Sequence, residues 1–184
     1  MPYGPMRSAR SAEPCSSPPV EARTLTAMPT HLVGRTRTMK HWELEAREAI
    51  RDLVARYNAN GDTGRFDQVI ELFAPNAVMD VGDQRPRVGQ DEIRTIFTGA
   101  RDRADYGDAP RYLRHLTATH QIDIIDESSA KGRCYYQVLT AVGLDHWGRY
   151  LDDYKKVKGE WKFTRRKVTV DGRNPGSLFL PAGS

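Results

Sequence analysis

Long apolar runs are missing from this sequence. Nothing in it approaches the roughly 18–20 consecutive apolar residues of a membrane-spanning helix, which excludes an integral helical membrane protein. Cysteine is scarce: Cys15 and Cys134 are too far apart for a disulfide framework or a zinc ligand set, so a reducing, cytoplasmic setting is the default. No glycine-rich phosphate loop or dinucleotide fingerprint follows a strand, and no serine stands in a nucleophile-elbow context. The five histidines (His31, His41, His115, His120, His146) lack metalloprotease spacing. His115 and His120 lie five apart in a candidate strand, on opposite faces unless a bulge intervenes. Neither a metal nor a cofactor is expected.

What remains is an ordinary globular composition, 39% hydrophobic and 28% charged over 184 residues, with a net charge of +4. The basic excess is local. Residues 1–39 hold five arginines against Glu13 and Glu21, leaving 23 basic and 22 acidic residues for 40–184. The same segment holds six of the eleven prolines and shows no apolar periodicity, so it reads as a disordered basic leader. An organelle transit peptide and an over-long start assignment, with Met28 or Met39 as the true start, both stay open for it. With the charge so partitioned, nucleic-acid binding loses most of its support.

From 42 to 60 the spacing is helical, with Ile50, Leu53, Val54 and Tyr57 on one stripe and Gly61 as the stop. A second helix is expected over 64–73, ended by Pro75, then a strand over 78–81 and a third helix over 91–99. Residues 101–110 read as a loop. Four β-rich segments follow, at 112–125, 133–142, 148–157 and 160–170, with hairpin turns at 126–132 and 158–160 and a hairpin loop at 143–148. Domain limits of 40–175 follow, with 176–184 a tail whose Leu178, Phe179 and Leu180 dock onto the core. Helices first and an antiparallel meander after make an α+β fold.

One constellation carries chemistry. Asp62 lies just beyond the first helix, Tyr57 near its end, and His115 at the start of the first long strand. A carboxylate against an imidazole orients the ring and stabilises its charged form, leaving the other nitrogen to move a proton. The structural alternatives are a turn residue at Asp62, a packing role for Tyr57 and a solvent-facing polar strand at His115. In a regular strand Leu116, Ala118, Ile122 and Ile124 share one face, and His115, Thr117, Thr119 and Gln121 the other. Lining a pocket therefore requires the His115 face to point inward, or a bulge that swaps faces.

The pieces "AIRDLVARYNANGD" (49–62), "FDQVIELFAPNAVMDVG" (66–82), "VGQDEIRTIF" (88–97), "RHLTATHQIDI" (114–124) and "GRYLDDYKKVKGEWKFTRRKV" (148–168) carry a resemblance. Their order resembles the SnoaL-like branch of the nuclear-transport-factor-2-like superfamily, the group of scytalone dehydratase, bile-acid dehydratase and hexachlorocyclohexane dehydrochlorinase. The resemblance implies a cone-shaped, curved, mainly antiparallel sheet with the N-terminal helices enclosing a pocket. It implies a small hydrophobic, polyketide- or steroid-like ligand, no cofactor and a homodimer or higher homo-oligomer. The family's acid/base pair falls on Asp62 and His115, and a pocket tyrosine on Tyr57. The chain departs from it at Thr119, where many relatives carry Asn, and in lacking an acid on the 133–142 strand. It also lacks a second pocket histidine unless His146 reaches in from its loop. Asp152 and Arg166 read first as an ion pair between neighbouring strands and second as substrate contacts. The reading is a cofactor-independent dehydratase or isomerase; its alternative is a non-catalytic ligand-binding or dimerisation domain of the same fold.

Overall fold

The structure, a computed structural model, describes residues 38–82, 85–103 and 112–179. The expected leader up to residue 37, most of the 101–110 loop and Leu180 lie outside the described residues. Three helices and six strands follow in order: α1 (His41–Asp62), α2 (Phe66–Glu71), β1 (Phe73–Val81), β2 (Arg87–Val88), α3 (Gln90–Arg103), β3 (Arg114–Asp126), β4 (Ser129–Thr140), β5 (Gly143–Val157) and β6 (Glu160–Arg173). The strands form one open sheet in the order β2-β1-β6-β5-β4-β3. Only the β1–β6 pairing is parallel. The α+β class and the mainly antiparallel sheet expected from the sequence are both present. No described helix is long and apolar enough to cross a membrane.

Helix α1 forms because its apolar stripe has somewhere to go: Ile50, Leu53, Val54 and Tyr57 are all buried. At its start the Lys40 N–H donates to the Glu43 carboxylate at 3.1 Å. The stop differs from expectation. Gly61 is helical, and the left-handed residue is Gly64 (φ 71°). Gly64 N–H donates to the Gly61 carbonyl and Arg65 N–H to that of Asn60, a Schellman turn that places Asp62 in the last helical turn.

Helix α2 is shorter than expected and ends before Pro75. The Leu72 carbonyl accepts from Phe163 N–H, and pairing with β6 takes the backbone over from there. Pro75 sits exposed inside β1, where the register jumps between Phe73 and Val78, so its missing N–H leaves no ladder bond unmade. Two-residue β2 is too short to mark the sequence pattern.

The meander strands run longer than expected because the turns are tight. Lys158 (φ 52°) and Gly159 (φ 88°) close β5–β6 with two positive φ angles, as a type I′ turn demands. Asp126 closes β3–β4 by accepting from Ser128 N–H and from the Ser128 and Ser129 hydroxyls; the Ser129 bond leads in holding its carboxyl down at about 2. The expected 143–148 loop is the first part of β5 instead. Along β4, Ala130, Gly132, Cys134, Tyr136, Val138 and Thr140 alternate inward, and α1 packs across the sheet's inner face with Phe73 and Phe163.

Candidate functional site

Asp62 and His115, 53 residues apart, meet where the end of α1 crosses the start of β3. The His115 backbone N–H donates to Asp62 Oδ2 at 2.9 Å, and His115 Nδ1 lies 2.5 Å from Asp62 Oδ1. One carboxylate thus holds both the main chain and the ring of the same residue, which fixes the imidazole plane. The side chains are 8% exposed for Asp62 and 21% for His115. With Nδ1 committed to Asp62, Nε2 is the nitrogen left for a reacting atom.

A bulge settles the strand's parity. Ala118 pairs with Tyr135 but Gln121 with Arg133, so β3 carries one residue more than β4 across that stretch. Thr119 there has φ 53°, a left-handed backbone that β-branched residues rarely adopt. Before the bulge Leu113 and His115 turn inward; after it His120, Ile122 and Ile124 do. Leu116 and Ala118, expected to share the face of Ile122 and Ile124, are therefore outside, and the exposed Thr119 does not line the cavity. His115 and His120 share the inner side, yet His120 turns elsewhere, toward the Tyr154 hydroxyl at 3.5 Å. Among the described residues no group of three or more His, Cys, Asp or Glu is placed to hold a metal ion.

Asp62 and His115 both line a partly enclosed cavity of about 380 Å³ between the helices and the inner face of the sheet. Phe66, Met79, Val81, Ile96, Phe97 and Val168 give it apolar walls. Tyr57 lines it too, its ring packed edge-on against Phe73, Phe97, Tyr150 and Phe163. Burial raises the pKa of the Tyr57 phenol against the opposing charge of Arg166, so the hydroxyl stays a donor at neutral pH. All three residues expected at the site therefore face one cavity.

Arg166 and Asp152 are the ion pair between neighbouring strands. Arg166 Nε and Nη2 reach the two Asp152 oxygens at 2.8 and 2.7 Å, and both side chains are fully buried. Nη1 has no hydrogen-bond partner; the guanidinium instead lies 4.1–4.2 Å from the ring centres of Tyr57, Tyr150 and Phe163. Neither residue lines the cavity, so they support the pocket tyrosines from behind rather than contact a ligand. Cys134 is buried as well, its thiol pushed up to about 11 by desolvation.

Sequence reasoning allowed a second imidazole only if His146 reached in from a loop. His146 lies on β5, not in a loop, and lines the same cavity. Its Nδ1 is 2.7 Å from the carboxylate of the preceding residue, Asp145. Successive strand residues normally face opposite ways, but Val138 pairs with His146 and Leu139 with Leu144, leaving Asp145 as an extra, bulged residue. The fully buried Asp145 carboxylate also accepts from the Thr140 hydroxyl (3.1 Å), the Ser177 hydroxyl (2.6 Å) and Leu178 N–H (2.8 Å). Burial works to raise its pKa, but those bonds together hold it below the ordinary value. Through them the segment after β6 lies over the cavity, where Phe179 forms part of the wall. Tyr136 stands beside both imidazoles, its ring centre 6.4 Å from that of His115 and 6.1 Å from that of His146. Its hydroxyl donates to the Thr169 carbonyl at 3.2 Å past Gly148, where a Cβ would come within 1.8 Å of that same oxygen.

A tethered imidazole in an apolar cavity, with a protonated phenol among its walls, can remove a carbon-bound proton and return it to a departing oxygen. The family model described as a SnoaL-like domain matches residues 42–167. No curated protein matches the chain. A solved structure of a putative scytalone dehydratase from Novosphingobium aromaticivorans DSM 12444 is 21% identical, over 79% of this chain and 99% of that one, with a TM-score of 0.62. Hexachlorocyclohexane dehydrochlorinase LinA-type3 from Novosphingobium barchaimii LL02 is 16% identical over 76% and 97%, with a TM-score of 0.62. A protein of unknown function with a cystatin-like fold from Nostoc punctiforme PCC 73102 is 21% identical over 73% and 95%, at a TM-score of 0.60. At these identities the likeness shows the fold.

Proposed function

The chain belongs to the SnoaL-like domain family, and from that premise we propose that it is a cofactor-independent enzyme that dehydrates or isomerises a small hydrophobic cyclic molecule by proton transfer. His115 moves the proton, Asp62 orients the ring and stabilises the charge it takes on with the proton, and Tyr57 polarises a substrate oxygen. The observation that carries this reading is the 2.5 Å Asp62–His115 pair facing an apolar cavity of about 380 Å³. Two of the structural relatives are named for eliminations, a dehydratase and a dehydrochlorinase.

In a cyclic β-hydroxy ketone the reaction balances as the loss of one water. His115 Nε2 takes the proton from the carbon beside the carbonyl, whose electron pair becomes the new double bond. The β C–O bond breaks, and the oxygen leaves with the proton that the imidazole returns, so the ring ends as it began. Incubation with 3-hydroxy-1-tetralone, whose dehydration yields 1-naphthol, tests this by absorbance. The expected result is naphthol formation above the uncatalysed rate. Binding of 1-naphthol without turnover of this or related cyclic β-hydroxy ketones would favour the ligand-binding domain instead.

The proposal extends to a homodimer working in a reducing, cytoplasmic setting. Leu116, Tyr135, Trp147 and Leu151 stand exposed on the outer side of β3, β4 and β5, an apolar group that a soluble monomer rarely leaves open. A second copy covering it would bury the roughly 1,200–2,000 Å² of a stable interface. Light scattering should then give twice the 20.8 kDa chain mass, and Tyr135→Lys with Leu151→Lys should give the monomer. A monomeric wild type rejects the dimer.

A further inference from the structure

We propose that Asn58 is a specificity-determining residue of the cavity, holding a hydroxyl of the substrate other than the oxygen that leaves. This rests on the reading of the chain as a dehydratase or isomerase and narrows its substrate to a ring bearing a further O–H. Asn58 is 6% exposed and lines the cavity, one helical turn before Asp62 on the same face of α1. Its Oδ1 is buried without a hydrogen-bond partner. Among the described residues three buried side-chain atoms share that condition, and the surroundings of the other two account for them. Arg166 Nη1 belongs to a guanidinium packed against three aromatic rings, and Arg47, whose Nε is the third atom, donates through Nη1 to the Ile122 carbonyl. Of the three residues Asn58 alone lines the cavity.

An asparagine at this point works against its surroundings. Leu53, Val54 and Tyr57 are buried on the same helix, and an amide left unpaired among them destabilises the empty protein. Asparagine is also a poorer helix former than alanine or leucine. What such a group provides is selectivity: a ligand without the matching polar group leaves the amide unpaired, and a ligand that carries it does not. The chemistry of the atom names that group. A carboxamide oxygen accepts and does not donate, so it pairs with an O–H and not with a carbonyl. In the proposed reaction the substrate carbonyl already has the Tyr57 hydroxyl, and the departing oxygen has His115 Nε2. Asn58 is a third polar point, for an oxygen that stays on the ring. The last torsion of an asparagine is broad, so the carboxamide turns to meet a hydroxyl at little cost.

The test is calorimetric titration of the full chain with 1-naphthol and with 1,5-, 1,6- and 1,7-dihydroxynaphthalene. In the wild type at least one dihydroxy isomer is expected to bind about tenfold more tightly than 1-naphthol, the worth of one added hydrogen bond. In Asn58→Ala that gain should vanish while 1-naphthol keeps its affinity within a few fold. Asn58→Leu keeps the branched shape, so the same loss there ties the gain to the amide and not to volume. A wild type in which no isomer gains, or a gain that survives both variants, overturns the assignment. Ligand-free Asn58→Ala should also melt about 3 °C higher, since alanine is the better helix former and no amide is left unpaired. A lower melting point would give the amide to the fold and overturn the proposal as well. The readout is binding, so the two readings fail separately. Turnover of 3-hydroxy-1-tetralone with no isomer gaining rejects Asn58 and leaves the enzyme standing; a gain without turnover rejects the enzyme and keeps Asn58 as a ligand contact.

Discussion

The His115→Ala variant is expected to lose about 10²–10⁴-fold of its dehydration rate, the share that a positioned proton-transfer group contributes, while its melting point stays close to that of the wild type. The two halves have separate causes. The lost rate follows from the lost nitrogen: with Nδ1 on Asp62, Nε2 is what remains to exchange a proton with substrate. The preserved stability follows from how Asp62 is held. Its Oδ2 keeps the bond from the residue-115 backbone N–H, which alanine retains, and its Oδ1 faces a cavity that water can enter. The residual cost is that of one hydrogen bond, about 1 kcal/mol. Steady-state kinetics on 3-hydroxy-1-tetralone and a thermal melt are sufficient. A variant that keeps full turnover removes His115 from the mechanism; one that fails to fold makes the pair a structural element.

Asp152→Ala should produce the opposite pattern, a large loss of stability from a residue that touches no ligand. The substitution leaves the fully buried Arg166 guanidinium without its carboxylate, and unpaired buried charges cost about 3–5 kcal/mol. For a domain of this size that lowers the melting point by roughly 10 °C. The Tyr154 hydroxyl, which donates to Asp152 Oδ2 at 2.8 Å, loses its acceptor at the same time. Burial opposes the charge on Arg166, but Asp152 outweighs it, so removing the arginine as well removes the penalty. The double variant Asp152→Leu with Arg166→Met should recover most of the stability, since apolar groups of similar volume replace buried ion pairs at little cost. Chemical denaturation of the two variants side by side decides it. A single variant as stable as the double would mean that the guanidinium finds water, contrary to its enclosure by Tyr57, Tyr150 and Phe163.

Helix α1 was legible because its evidence is repeated: four apolar residues at helical spacing vote for one face, and all four are buried. Asp62 and His115 stood out from their places in the order of elements only once the family resemblance was set beside them. The burial of Tyr57 was legible from its place on the stripe, and its place in the cavity from the resemblance alone. What sequence could not supply were single-residue irregularities. Neither Thr119 nor Asp145 is a residue type that announces a bulge, yet the first decides which half of β3 faces the cavity and the second turns a carboxylate toward the neighbouring imidazole. His146 was read as part of a loop because "GLDHWG" carries turn-forming glycines. Gly148 is there for room instead, its hydrogen standing where a side chain would strike the Thr169 carbonyl. The segment after β6 carried no periodic signal because its anchorage is polar, through Ser177 and Leu178 onto Asp145. Local geometry of this kind is set by the pairing strands and not by the residue that adopts it.

The extra residue in β3 makes length, rather than chemistry, the sensitive property of that strand. Thr119 is exposed and bonds to nothing in the site, so many side chains can stand there. Its presence as a spacer, however, keeps the half of β3 that bears His115 and the half that bears Ile122 in phase with the interior. Among descendants of this sequence the position is free to change in kind and not in number. Loss of one codon there would turn either the imidazole or the core isoleucines out to solvent.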